Sequence, residues 1–263
     1  MKVGISEIIL PTLPLHQFFQ QASEADYETV ELCIGGKCPL QLNNWETFVP
    51  EINKLSAQYQ LPVSSVVHWQ CTGNLLASGD EQKISIEQTC QGLEIAQKLG
   101  SKSSLHTLGY ITEDLYYDEA YENAVFALKE IAKTAEQTGV SLAVEFIWNG
   151  FLFSPLEMKR FLEDVGSSSV GFYFDPGNMA VFQHPHHWAK ILGKHIKMVH
   201  MKDWKGSALN GSWPALLHGN IPFHKIMQEL RNAGYHGPLI SEVDPAAASL
   251  RDSSASIRKI LNM

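Results

Sequence analysis

The segment SLAVEFIWNGFLFSPLEMKRFLEDVGSSSVGFYFDPGN, residues 141–178, contains one full repeat of the pattern on which the fold is built. An apolar run at 141–147 is followed by a segment with helical spacing, and then by a second apolar run at 170–175. Ser154-Pro155-Leu156-Glu157 marks the start of the helix, because serine caps a first turn, proline suits the first helical position and glutamate can close a capping box. Strand, helix and strand in this order predict parallel strands joined by a crossover helix.

The same alternation continues along the whole chain. Between the apolar runs lie longer segments whose apolar residues recur every three or four positions, and one of them, 124–135, precedes a C-cap glycine at Gly139. Eight such repeats in 263 residues, without a dividing linker, predict an α/β fold: a single (β/α)8 TIM barrel that forms one domain over residues 1–263. The predicted strands are 2–8, 29–35, 62–69, 103–108, 141–147, 170–175, 196–201 and 238–243.

Composition limits the possible partners. The chain is 44% hydrophobic and 18% charged, which is typical of a soluble globular protein, and no run reaches the length of a membrane-spanning helix. A formal net charge of −8 disfavours nucleic acid, whose phosphates bind clustered lysine and arginine. The four cysteines show no C-x-x-C spacing and are expected to be small buried thiols. We therefore expect a cytoplasmic protein that binds a small molecule, with no nucleic-acid or membrane partner.

Four polar residues each lie at the carboxyl end of a predicted strand. They are Glu145, Asp175, His200 and Glu242, here called the metal quartet, and they fall on strands five to eight. In a barrel of this kind the carboxyl ends of the strands form the active-site face, so the four side chains should meet there. Three carboxylates and an imidazole suit a divalent ion such as Mn²⁺, Mg²⁺, Co²⁺ or Zn²⁺.

The segments AVEF, FYFDPGN, VHMKD and ISEVD resemble those of the sugar phosphate isomerase/epimerase family of xylose-isomerase-like TIM barrels. That group includes ketose and ketose-phosphate 3-epimerases, hydroxypyruvate isomerase and inosose dehydratase, and residues 144–178 look closest to the ketopentose-phosphate 3-epimerases. The resemblance implies a metal-dependent isomerase or epimerase that acts on a small ketose or ketose phosphate, with one divalent ion, expected to be Mn²⁺. A homodimer or homotetramer is also expected from it.

The resemblance also assigns roles to residues. The metal quartet matches the metal ligands of the family, and Glu145 and Glu242 match the glutamates that move protons on opposite faces of the substrate. A metal that chelates a ketone oxygen and a neighbouring hydroxyl stabilises the enediolate formed when one glutamate removes a proton. Reprotonation from the other face inverts the stereocentre, whereas return of the proton to the carbonyl carbon gives aldose–ketose isomerisation.

Other residues near the predicted strand ends are expected to contact the substrate. His68 and His106 end strands three and four, Lys202 follows the metal histidine, and Asn178 follows the metal aspartate. Glu31 is a weaker candidate for a hydrogen bond at the rim, and Trp148 for a pocket wall. The loop 204–220 contains glycines at 206, 211 and 219 that either present backbone N–H groups to a phosphate or form an ordinary surface loop.

The chain departs from family patterns at positions that bear on the substrate. Gly206 stands where the free-ketose 3-epimerases have arginine, and Phe151 stands where they have a second glutamate that contacts the substrate. A lyase resembling inosose dehydratase therefore stays open, as does a non-catalytic sugar-binding barrel. The related zinc abasic-site endonucleases are disfavoured, since Asn178 replaces an expected histidine and the net charge opposes binding to DNA.

Overall fold

The computed structural model describes all residues from Met1 to Met263 and consists of a closed parallel barrel surrounded by helices. The predicted TIM barrel is confirmed. Its strands pair in the order β1-β10-β7-β6-β5-β4-β3-β2, with β1 closing the ring against β10 and β2. The barrel strands are β1 Val3–Ser6, β2 Thr29–Gly35, β3 Val63–Trp69, β4 Ser103–His106, β5 Ser141–Glu145, β6 Val170–Phe174, β7 Ile196–Met201 and β10 Leu239–Ser241.

Helices follow the strands and cover the outside of the barrel. Ser154 caps its helix as predicted, with its side chain accepting the backbone N–H of Glu157 at 3.1 Å, and Gly139 ends another helix in the left-handed conformation. The helices are α1 Leu15–Glu24, α2 Trp45–Tyr59, α3 Gly79–Lys98, α4 Tyr117–Thr138, α5 Pro155–Val165, α6 Pro176–Ala180, α7 Pro185–Leu192, α8 Phe223–Asn232 and α9 Leu250–Leu261. None of them combines the length and apolarity that crossing a membrane requires.

The structure differs from the sequence prediction at several strand ends and in one loop. β1, β4, β5 and β10 end at Ser6, His106, Glu145 and Ser241, before the ends of the apolar runs 2–8, 103–108, 141–147 and 238–243. The loop 204–220 contains an antiparallel hairpin, β8 Lys205–Ser207 and β9 Asn210–Ser212, which extends from the carboxyl end of β7. The hairpin residues are exposed and polar or glycine, so they form no alternating hydrophobic pattern from which the hairpin could be predicted.

The core has two layers. Inside the barrel, a ring of side chains fills the lumen below the metal quartet. A larger layer lies between strands and helices, where Phe172 and Trp188 stack with ring centroids 5.8 Å apart. The lumen layer of packed side chains lies beneath the carboxyl ends of the strands. Its buried side chains are Cys33, Val67, Leu105, Ala143, Tyr173, Met198 and Ile240, with Cys38 beside them.

Candidate active site and metal centre

The four side chains of the metal quartet converge at the carboxyl face of the barrel. Glu145 is the last residue of β5, His200 lies near the end of β7, and Glu242 directly follows β10. Asp175 follows β6 and caps α6, since its Oδ1 accepts the backbone N–H groups of Gly177 and Asn178 at 2.7 and 3.2 Å. That cap leaves the second carboxylate oxygen of Asp175 free to face the centre of the site.

The geometry of the quartet fits a single divalent ion. One potential ligand atom from each of the four residues lies within 4.8 Å of all the others. His200 Nδ1 lies 3.3 Å from Glu145 Oε1 and 3.7 Å from Glu242 Oε2. The buried Oδ2 of Asp175 and Oε2 of Glu242 have one cationic neighbour, the ammonium of Lys202, so three carboxylates face a single lysine and the neighbouring imidazole. Three carboxylates and one imidazole are suitable donors for a divalent cation.

Glu31 contacts His200 at the ring nitrogen that does not face the other members of the quartet. Its Oε1 lies 2.7 Å from His200 Nε2, and Ser65 Oγ and the Tyr173 hydroxyl donate hydrogen bonds to its Oε2. Glu31 is completely buried in the barrel lumen, so it is not the rim residue that the sequence suggested. Because Nε2 is directed at Glu31, Nδ1 is left for the metal quartet, and a carboxylate behind a metal histidine fixes its orientation in this way.

Lys202 and Asn178 both reach the metal quartet. The Lys202 ammonium lies 3.2 Å from Asp175 Oδ2 and 2.5 Å from Glu242 Oε2. Asn178 donates its amide to Glu145 Oε1 at 3.3 Å. Both residues also line the cavity above the quartet, so they lie where the sequence predicted substrate contacts.

The pKa values of the two glutamates of the quartet are shifted in opposite directions. Burial raises the pKa of Glu145 to about 7, with a smaller contribution from the charge of Glu242. Burial also acts to raise the pKa of Glu242, but Lys202 and His200 outweigh it and lower that pKa below its ordinary value. Two carboxyl groups in one cleft with divergent proton affinities are characteristic of acid/base sites.

His68 and His106 lie in the wall of the cavity rather than pointing into its centre. The neighbouring residues Val67 and Leu105 face the lumen, so the alternation of a strand directs the histidines towards the helices. His106 is fully engaged, with Nε2 2.7 Å from Thr72 Oγ1 and Nδ1 accepting a backbone N–H at 2.8 Å. Burial lowers the pKa of His68 to about 4 and that of His106 to about 3, so both are neutral at pH 7.

Two of the three glycines that the sequence suggested for a phosphate cradle donate their N–H groups within the protein. The N–H of Gly206 is donated to Asn220 at 2.9 Å, and the N–H of Gly219 is donated to the carboxylate of Asp203 at 2.8 Å. Asp203 is buried beneath the loop and adds a negative group there. With these donors used and an anion beside them, the loop is poorly suited to bind phosphate.

Gly206 and Phe151, the two departures from the free-ketose 3-epimerase pattern, both have structural roles. Gly206 pairs with Gly211 in the hairpin, where a side chain would meet the opposite backbone at 2.3 Å. Phe151 is buried in an aromatic cluster with Tyr117 and Phe161 and does not face the cavity. Neither position supplies a polar group to the substrate.

A further buried acid lies beside the barrel lumen. Glu7 is fully buried, and its Oε2 accepts the backbone N–H of Cys33 at 2.9 Å while its Oε1 has no partner. The thiols of Cys33 and Cys38 lie within 4.8 Å of the carboxylate. Burial raises the pKa of Glu7 to about 7. All four cysteines are free thiols, but only Cys33 and Cys38 are buried; Cys71 and Cys90 are partly exposed, contrary to the expectation that all are buried.

Comparison with known proteins identifies the family. The model of the xylose isomerase-like TIM barrel family matches residues 19–260, and the chain belongs to this family. An uncharacterized protein of Methanocaldococcus jannaschii is 24% identical over 250 residues, covering 92% of this chain and 83% of that protein. The L-ribulose-5-phosphate 3-epimerase UlaE of Escherichia coli is 26% identical over 178 residues, which cover 62% of this chain and 62% of the enzyme.

Solved structures agree with this assignment. The crystal structure of a D-tagatose 3-epimerase-like protein matches with a TM-score of 0.84 at 22% identity, covering 100% of this chain and 97% of that one. The crystal structure of the IOLI protein with a bound zinc atom matches with a TM-score of 0.83 at 16% identity, covering 100% and 98%. At these identities the matches establish the fold, and ketose 3-epimerases are among the structural neighbours.

Proposed function

We propose that this protein is a divalent-metal-dependent epimerase or isomerase of a ketose, with Glu145 and Glu242 as its acid/base pair. The observation that carries the proposal is the convergence of the metal quartet within 4.8 Å at the floor of a cavity of about 800 Å³. A pocket of that size accommodates a sugar-sized ligand.

The metal quartet would hold the ion, expected to be Mn²⁺. Bound there, the ion would polarise the substrate carbonyl and stabilise negative charge on its oxygen. The set contains only oxygen and nitrogen donors, which suits manganese or magnesium as well as zinc. Glu31 would keep the His200 ring oriented towards the ion, as its hydrogen bond to Nε2 supports.

The protein residues carry the proton transfers. One glutamate of the pair removes the proton from the carbon next to the carbonyl, and the electron pair of that C–H bond moves into the enediolate. The other glutamate donates a proton to the same carbon from the opposite face, which inverts the centre and restores the ketone. We assign Lys202 to holding Glu242 in place through its ion pair, and Asn178 to orienting Glu145 through its amide.

We assign different roles to the remaining candidate residues. Lys202 and Asn178 line the cavity and are proposed to contact the substrate hydroxyls as well. His106 is proposed to shape the wall, because both of its ring nitrogens are already occupied by the chain. His68 is proposed to do the same, because its ring packs against Gly92 of α3.

Exchange of substrate hydrogen with solvent tests the proposal. The Mn²⁺-loaded protein would be incubated in D₂O with pentuloses, hexuloses and their phosphates, and the sugars analysed by NMR after removal of the metal. We expect deuterium at C3 together with the epimeric ketose. Deuterium at C1 or C2 with an aldose would mean isomerisation, and loss of water would mean a lyase.

Two substitutions test the acid/base pair. Glu145→Gln and Glu242→Gln should each reduce turnover by about 10²–10⁴-fold, the usual contribution of general acid/base catalysis. Glu51→Gln, on the exposed face of α2, provides the matched control and should retain full activity. Unchanged turnover in both glutamine variants would exclude the proposed pair.

A further inference from the structure

The catalytic cavity is continuous with a second one of similar size. The inner cavity, about 800 Å³, lies above the metal quartet. The outer cavity, about 850 Å³, lies between the hairpin loop and the segment that follows β10. Both are lined by Glu242, Lys202, Asn178, Trp148 and Ile8, so they meet directly over the catalytic groups. Each volume is within the range of about 300–1,000 Å³ of a complete small-molecule site, and a monosaccharide fills one of them at most.

Stacked indole rings form the boundary of the outer cavity. Trp148 and Trp213 are nearly parallel, with an angle of 20° and ring centroids 5.6 Å apart, and Trp204 supports Trp213 from below at 4.7 Å. Trp148 keeps 49% of its surface exposed, yet its Nε1 donates to the Asn178 carbonyl at 3.0 Å, which fixes the ring. A rigid exposed indole offers an apolar face that suits the C–H face of a pyranose ring.

The charges around both cavities disfavour a phosphorylated ligand. No arginine lines either cavity, and the only lysine, Lys202, is already paired with Asp175 and Glu242. The cavity-lining histidines 68 and 106 are neutral at pH 7, as described above. Asp244 in the outer cavity and Glu81 in the inner one add negative charge. Apart from the proposed metal ion, a phosphate dianion would therefore find no unpaired cationic side chain in either cavity and would lie close to carboxylates.

We infer that the outer cavity is a subsite for an uncharged second ring, and that the substrate is a neutral ketose bearing a glycosyl group rather than a ketose phosphate. This inference rests on the proposed function, because it places the ketose part of the substrate over the metal quartet. The second ring would lie against the exposed side of Trp148, whose other side is stacked on Trp213. The relevant chemistry is an apolar sugar face against indole, with no requirement for an anion site.

Three sugars that share one ketose test the subsite. D-Fructose, isomaltulose and D-fructose 6-phosphate carry a hydrogen, a glucosyl group and a phosphate, respectively, on O6. Both modified sugars are blocked at O6, so they have the same furanose and open-chain forms and differ only in the substituent. Their dissociation constants for the Mn²⁺-loaded protein would be measured by calorimetry. We expect isomaltulose to bind at least 10-fold more tightly than either of the others.

A tryptophan substitution tests whether the binding preference for isomaltulose depends on the stacked indole rings. Trp213→Ala should reduce the preference for isomaltulose over D-fructose 6-phosphate by about 10-fold, since it removes the ring that stacks against Trp148. Phe126→Ala, on the outward face of α4, removes an exposed aromatic ring far from the cavities and should leave that preference unchanged. An unchanged preference in Trp213→Ala would overturn the role assigned to the stacked indole rings.

The outcomes separate the two proposals. Tightest binding of D-fructose 6-phosphate, equal binding of all three sugars, or no binding of isomaltulose would overturn the subsite. Deuterium exchange at C3 of D-fructose would in each of those cases still support the ketose epimerase. Conversely, tight binding of isomaltulose without exchange on any ketose would support the subsite and count against the proposed function.

Discussion

His200 Nε2 lies 2.7 Å from Glu31 Oε1, and neither side chain is exposed to solvent. Although burial alone would lower it, the charges of Glu31 and Glu242 raise the pKa of His200 well above its ordinary value. The same contact with His200 keeps the pKa of Glu31 below its ordinary value despite complete burial. The histidine and the carboxylate therefore stabilise each other, and the orientation of His200 Nδ1 towards the metal quartet depends on Glu31, which is not a member of the quartet.

The first prediction concerns this contact. Glu31→Gln should weaken Mn²⁺ binding by about 10–100-fold, because carboxylates behind metal histidines contribute that much to affinity. Calorimetric titration of the metal-free protein measures it. Glu51→Gln, an exposed glutamate on α2, is the control with an identical chemical change. Wild-type affinity in Glu31→Gln would mean that His200 needs no such support.

The second prediction concerns the metal and thermal stability. Mn²⁺ at about 100 times its dissociation constant should add about 2.7 kcal/mol to the free energy of unfolding. For a protein of this size that corresponds to a rise in Tm of about 5–10 °C. Asp175→Asn removes one ligand charge and should abolish most of the rise, as differential scanning calorimetry would measure. A rise of equal size in the variant would place the ion somewhere else.

The third prediction concerns Glu7 and pH. Because burial raises its pKa to about 7 from 4.5, the folded protein binds this proton more tightly than the unfolded chain does. The corresponding stability is present below about pH 4.5 and is lost as the pH rises through about 7. Glu7→Gln should therefore be more stable than wild type at about pH 8, by at most about 3 kcal/mol. Urea unfolding at several pH values measures it.

The same pH series carries its own control. Glu51→Gln should follow the wild-type stability curve, since Glu51 is exposed and has no partner in the fold. If the difference between Glu7→Gln and wild type stays constant from about pH 4 to about pH 8, proton binding by Glu7 is not its cause.

The fourth prediction concerns the packing of His68 against α3. A Cβ on Gly92 would lie only 2.4 Å from His68 Nε2. Overpacking costs about 1–3 kcal/mol, against about 1 kcal/mol gained from the helix propensity of alanine. Gly92→Ala should thus lower the free energy of unfolding by up to about 2 kcal/mol. In a His68→Ala background the same substitution should be neutral or stabilising, and an equal cost in both backgrounds would contradict the clash.

The sequence predicts the barrel and the convergence of the metal quartet for a single physical reason. Parallel strands place their carboxyl ends on one face, so Glu145 and Glu242 meet although they are separated by nearly a hundred residues. The helix cap at Ser154 is equally local, because its side chain accepts the N–H of Glu157 three residues on; the reciprocal half of the predicted capping box does not form, since the Glu157 carboxylate accepts the hydroxyl of Tyr117. Both features depend on neighbouring residues or on a general rule of topology.

The sequence could not predict in which direction some of the strand side chains point. Glu31 lies in a continuous apolar run, and only its long-range contacts with Tyr173 and His200 distinguish a lumen carboxylate from a rim one. For His68 the direction follows from strand alternation, because His68 points away from the lumen if its neighbour Val67 faces it. The hairpin after β7 has no hydrophobic periodicity to reveal it.

The hairpin has a consequence for how this barrel can diversify. Trp213 reaches the outer cavity from a loop whose hairpin strands pair only with each other, whereas the metal quartet is anchored at the ends of barrel strands. Insertion, deletion or exchange of residues 204–220 would reshape one half of the combined cleft while the strands that carry the metal quartet stay in register. Variation of the ligand can therefore act on this loop alone, and libraries built in it are the natural starting point for changing what the cleft binds.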